Sequence, residues 1–259
     1  MPTAGCHTRC RTLSSARGFS LVELMIAITI GLFIVAGVIS ILLSIRQTYA
    51  VQDNLTQMQD SQRLAHAILS SAVHDAGYFV EPTLNTVQTA LPAVTGSTPD
   101  GAAFAAGQIV SGTGNAASAG DTLNLRYQTA DKDELPDCLG NTNTSGAAAV
   151  YTNSFAINGA SQLTCAVGIN GAPPVGAAVP IVDNVASMQV EYGVDTDADG
   201  SVDTYLSAAA VSAGNYWLAV GSVRLHLVFV DLLNPPPAVS VNPQVWHTIH
   251  LMNRPVTTL

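Results

Sequence analysis

Apolar positions along the chain follow two different rhythms. From Phe19 to Ile45 they run almost without interruption: 27 residues carry a single charge, Glu23. A bilayer core of about 30 Å needs about 20 helical residues, so this run is long enough to cross one. Beyond it the run breaks into a stripe. Val51, Leu55, Met58, Gln62, Ala65, Leu69, Ala72 and Ala76 recur at alternating spacings of four and three, one face of an amphipathic helix. Gln62 is its only polar member, and Gln52, Asp53, Gln59, Asp60 and Arg63 fill the other faces. No proline lies between Phe19 and Ala76, and Gly77 reads as a C-cap. The pattern predicts one helix of about 85 Å, loosened locally at Gly31 and Gly37, its second half packed on its own domain.

After Tyr78 the rhythm changes to short alternating runs between turn-rich stretches. Strands are predicted at Thr122–Thr129, Ala149–Ile157, Gln162–Val167, Ser187–Val194, Ser222–Asp231 and Val245–Met252. Val223, Leu225, Leu227 and Phe229 alternate with Arg224 and His226, as in a half-buried strand. Residues 81–120 are rich in Ala, Thr, Gly and Pro and yield no clear element, while Pro235-Pro236-Pro237 marks a loop. The fold class is α+β, a long N-terminal helix packed on an antiparallel sheet domain. The helix divides into an apolar segment, 19–45, and an amphipathic continuation, 46–77, followed by a β-rich body, 78–259.

Charge adds a direction. The first 18 residues hold Arg9, Arg11 and Arg17 and no acid; the remainder has six basic and eighteen acidic residues, a net of −12. An acidic body with one lysine, Lys132, argues against nucleic-acid binding. Arginines ahead of the apolar run keep the N-terminus cytoplasmic and send the body outward. A conventional cleaved signal has an apolar core of about 7–15 residues, shorter than this one. Glu23 has two readings on physics alone: a carboxylate reaching the cytoplasmic interface, or a functional charge with a partner.

Arg17-Gly18-Phe19-Ser20-Leu21-Val22-Glu23, joined to the apolar helix, resembles the class III signal of type IV pilins and type II secretion pseudopilins. The resemblance implies that residues 1–18 are a prepilin leader, cut between Gly18 and Phe19 by a prepilin peptidase, and that the new Phe19 amine is methylated. It selects the functional reading of Glu23. The Phe19 amine would be a cation in a low-dielectric fibre core, and Glu23 of the same or a neighbouring subunit would pair with it, giving register more than net stability. The body resembles the minor-pilin PilW family more than a major pilin. The resemblance rests on His74-Asp75-Ala76-Gly77-Tyr78, on Tyr192-Gly193-Val194-Asp195 with the Asp-rich loop behind it, and on His250-Leu251-Met252-Asn253-Arg254. It also extends to the J-type minor pseudopilins of type II secretion. It implies a non-enzymatic assembly subunit. Such a subunit waits in the inner membrane and joins other minor pilins, the major pilin and a tip adhesin at the cell-surface pilus.

Two further features carry chemistry. Asp195, Asp197, Asp199, Ser201 (through its carbonyl) and Asp203 have the spacing of an EF-hand loop, with Gly200 at the sharp turn. Leu206 stands where a bidentate Glu belongs, and the flanks read as strands; Glu191 or water would complete the shell. The alternatives are a Ca²⁺ site with Kd on the order of 10⁻⁴–10⁻³ M and a solvated acidic turn. Cys6 and Cys10 lie in the leader, so Cys138 and Cys165 remain as an even pair in an exported body. A disulfide between them would close about 28 residues and contribute roughly 3–4 kcal/mol; the alternative is two buried thiols. Catalytic constellations are not evident. His247 and His250 fall on opposite faces of a strand, His66 and His74 lie two helical turns apart, and His226 reads as a packed or surface residue. The Gly-rich 111–120 stretch has no lysine and is not a phosphate loop. The remaining rival is a membrane-anchored periplasmic enzyme or ligand-binding domain.

Overall fold

The computed structural model describes residues 18–114, 120–230 and 246–254. The expected leader segment up to Arg17, with Cys6 and Cys10, lies outside the described residues, as does the triple-proline loop. Two compact units result, Met1–Gln52 and Asp53–Leu259.

The helix α1 spans Leu21–Asp75, two residues later at its start and one earlier at its end than the apolar pattern suggests. It runs through Gly31 and Gly37 without a break. In the first unit every described side chain of α1 faces solvent, with Phe33 81% exposed. Polar groups there are satisfied locally: the Thr29 hydroxyl donates to the Ile26 carbonyl at 2.8 Å, which leaves it no need of water.

In the second unit α1 buries Ala65, Leu69, Ala72 and Val73. Val51 and Leu55, expected on the packed stripe, are exposed; cover begins near Met58. The helix ends at Gly77, whose φ of 82° is the left-handed C′ conformation favoured by glycine. Its N–H donates to the Arg126 carbonyl at 2.9 Å.

The body is antiparallel throughout its named strands. β1 (Val94–Thr95) and β2 (Ala103–Phe104) form a small ribbon. β3 (Val110–Thr113), β4 (Thr122–Thr129), β5 (Ala149–Ile157), β6 (Gln162–Ile169) and β7 (Val179–Asp183) follow one another as a five-stranded meander. β8 (Val185–Val194), β9 (Thr204–Ser207), β10 (Val220–Phe229) and β11 (Trp246–His250) form a second sheet, ordered β11-β10-β8-β9. The single sheet expected from the sequence is therefore divided in two. Both contribute to one core with α1, through residues such as Leu125 and Phe155 on one side and Tyr192 and Leu225 on the other.

Two internal fixtures hold the body. Arg126, on β4, is buried with no acidic partner among the described residues. Its guanidinium donates to the carbonyls of Leu91, Pro92, Ala105 and Gln108 at 2.6–3.2 Å and lies over the Phe104 ring. Backbone dipoles thus replace a counter-ion, and burial lowers the Arg126 pKa to about 10. This one side chain fastens the irregular 91–108 segment to the meander. The second fixture is a Cys138–Cys165 disulfide, which ties the β4–β5 loop to β6 across a Cα–Cα distance of 6.3 Å.

Candidate functional site

Gly18, Phe19 and Ser20 precede α1, and Glu23 stands in its first turn, four residues from Phe19. A carboxylate there complements the positive end of the helix dipole. Phe19 is 84% exposed, so nothing described covers it. Of the described helices, α1 is the one long and apolar enough to cross a membrane, and that suffices to anchor the chain in one.

A second site assembles where three distant segments meet. The Asp-rich segment is the hairpin loop between β8 and β9, closed by the Val194–Thr204 pair. Gly193, just before it, lies so close to the Ser222 hydroxyl that a Cβ would collide. Carboxylate oxygens of Asp195, Asp197 and Asp203 lie within 4.8 Å of one another. Asp195 is 7% exposed; its Oδ2 accepts the Gly200 N–H at 2.9 Å, while Oδ1 is buried with no hydrogen-bond partner among the described residues. Asp203 accepts the N–H and the hydroxyl of Thr196, both at 2.7 Å. Asp199 lies outside the three-oxygen group. Its Oδ1 accepts the Ser201 N–H at 2.7 Å and the Ser201 hydroxyl. These hydrogen bonds hold both the Asp199 and the Asp203 carboxyl below the usual range, so both stay ionised at neutral pH.

Glu191, expected as a supplementary ligand, is engaged elsewhere. It accepts from Arg224 Nε at 2.9 Å and pairs with the same guanidinium through Nη2. Arg224 is in turn stacked between the rings of Tyr205 and Trp246. Leu206, at the twelfth position, sits on β9 opposite Tyr192. The all-oxygen set with one orphaned buried carboxylate oxygen fits a hard cation. Three of the five expected residues supply it by their side chains.

The third segment is one that spacing alone did not connect. Arg254 Nη2 donates to the Gly200 carbonyl, and Nη1 lies 3.9 Å from Asp195 Oδ2. Its neighbour Asn253 donates from Nδ2 to the His74 carbonyl at 3.1 Å, capping α1. A methyl on Gly77 would strike the Asn253 carbonyl. The three short motifs that prompted the family resemblance in the body therefore converge on one junction.

The histidines also rearrange. The ring of His66 of α1 lies against that of His247 of β11, with centroids 3.8 Å apart and planes tilted by 41°. They border a cleft of about 970 Å³ that also includes Asp60, Arg63 and Phe229. Burial first, and His247 second, lower the His66 pKa to about 4. His226 is buried, its ring 5.2 Å from that of Trp246.

An exposed apolar helix ahead of an antiparallel body with a glycine-terminated junction defines a pilin-like protein. Two family models match the chain. The prokaryotic N-terminal methylation motif covers residues 13–39, which include Gly18, Phe19 and Glu23. The PilW family, type IV pilus-assembly protein W, covers residues 149–248, from β5 into β11 and across the acidic loop. The chain is thus similar to the PilW family over residues 149–248 and to the N-terminal methylation motif at its start. Together the two matches support a pilin-like, pilus-assembly character for the chain. No curated protein is a significant match.

Proposed function

We propose that the chain is a minor pilin, a structural and assembly subunit that joins other minor pilins in a tip or priming complex and starts fibre growth. The observation that carries this reading is the match of the methylation motif to the start of a wholly exposed apolar helix, with a PilW-type body behind it. In this reading residues 1–18 are a leader. A prepilin peptidase cuts before Phe19 and the new amine is methylated. The cationic amine pairs with Glu23 when the subunit leaves the bilayer for the fibre core. Before assembly the N-terminus is cytoplasmic and the body periplasmic, in the inner membrane; afterwards the body lies on the cell-surface pilus. Its partners are the other minor pilins, the major pilin and a tip adhesin, and its role is structural and not catalytic. The acidic hairpin loop takes a Ca²⁺ ion, supported by the oxygen-only group at Asp195, Asp197 and Asp203.

Intact mass and N-terminal sequencing of membrane-extracted protein, made with and without a prepilin peptidase, test the core of the reading. A start at methylated Phe19, seen only with the peptidase, is expected. A retained Met1 start would overturn it in favour of an anchored periplasmic domain.

A further inference from the structure

We propose that Arg254 is the built-in competitor of a divalent cation at the β8–β9 loop, so that the guanidinium and the ion share Asp195. The proposal rests on the calcium reading above and specifies how that site is regulated.

Four carboxylates crowd the hairpin loop, at Asp195, Asp197, Asp199 and Asp203. Among the described residues the one ion pair reaching them comes from Arg254. A single guanidinium leaves most of this charge uncompensated, and a divalent ion would remove most of the deficit. Asp195 carries the argument. It is 7% exposed, and burying a carboxylate is costly unless its oxygens are paired. Oδ2 is paired with the Gly200 N–H and lies near Arg254, whereas among the described residues Oδ1 has no hydrogen-bond partner. An orphaned buried oxygen on a carboxylate grouped with those of Asp197 and Asp203 is the position a cation would fill.

Arg254 does not block this position. Its firm contact is with the Gly200 carbonyl, not with the Ser201 carbonyl expected of a seventh-position ligand. Nη1 stands 3.9 Å from Asp195 Oδ2, near enough to stabilise the ion-free loop and to repel an arriving cation. The linkage is reciprocal: whatever weakens Arg254's hold strengthens the ion, and the ion weakens Arg254's hold by the same factor. Asn253, next in the chain, caps α1. Occupancy of the loop is thereby coupled to the fastening of the helix end.

The test uses the full-length protein in detergent, titrated with Ca²⁺ by calorimetry and melted in EDTA or millimolar Ca²⁺ while tryptophan fluorescence is followed. The wild type should release titration heat and melt higher in Ca²⁺. Asp197→Asn, at an exposed position, should bind Ca²⁺ severalfold more weakly with an unchanged melt in EDTA. Asp195→Asn should lose binding altogether. Arg254→Gln should melt lower in EDTA yet bind Ca²⁺ severalfold more tightly. If Arg254→Gln binds no tighter than wild type, the competitor role is overturned while the calcium reading stands. If the wild type shows neither heat nor a shifted melt, the calcium reading fails and the proposal falls with it.

Discussion

The two units use leucine in opposite ways within one continuous secondary-structure element. Leu42 and Leu69 both sit in α1, with the same backbone hydrogen bonding around them. Leu42 is 52% exposed and Leu69 fully buried. A helix of this length satisfies its own backbone, so it needs no tertiary partner to exist in lipid. What differs is the solvent each half is written for. In the body, apolar side chains are removed from water by the two sheets; in the first unit, only lipid or other subunits can do so. The same residue type is a stability element in one place and an interface in the other.

That contrast can be broken most drastically at its N-terminal edge. Gly18→Val should abolish processing, leaving a product longer by the leader on a denaturing gel, while the body keeps its wild-type melting behaviour. In the body, Arg126→Leu strips hydrogen bonds from four carbonyls and should cost about 3–5 kcal/mol in denaturant unfolding. A wild-type midpoint would show that the 91–108 segment does not depend on it. Reducing Cys138–Cys165, or replacing both with serine, should cost about 3 kcal/mol by the same measurement. The paired variants Leu69→Ala and Leu42→Ala address the comparison itself. The first should lose about 3 kcal/mol and the second less than about 0.5 kcal/mol in detergent. Equal losses would mean that both halves of α1 contribute alike to the body's core.

An effect smaller than the core losses is set by pH. His66 has a folded-state pKa lowered from 6.5 to about 4, so the unfolded chain takes up its proton first. Its contribution to stability is complete above pH 6.5 and is lost as pH falls toward 4. With partial exposure discounted, the loss is about 1–2 kcal/mol. His66→Asn should flatten that part of the stability profile, measured by denaturant midpoints across the range.

The sequence showed most where structure follows local rules. β4 and β5 have the predicted boundaries because each is a β-rich run of eight or nine residues set between turn-rich stretches. β7 and β9 escaped notice. One contains Pro180, the other has four residues, and both are edge strands whose pairing is supplied by a neighbour. The amphipathic stripe on α1 was legible, but not the point where cover begins, since that depends on where the sheets end. For the candidate site, spacing located the acidic loop and the N-terminal motif. It could not bring Arg254 to Gly200 across 54 residues, nor His66 to His247. Periodicity compares residues within one element and is silent on which elements meet. Glu191 was misjudged for the same reason, its partner Arg224 being on the next strand.

The Asn253 cap has a consequence for the order in which the molecule is made. The carbonyls at the end of α1 belong to His74 and Ala76, yet they wait for a side chain delivered some 177 to 179 positions later. During synthesis the helix and both sheets emerge before their fastener does. A chain whose translation or passage stops short of residue 253 therefore presents an open helix end and an unclasped hairpin. Such a chain leaves both sides of that junction unfastened.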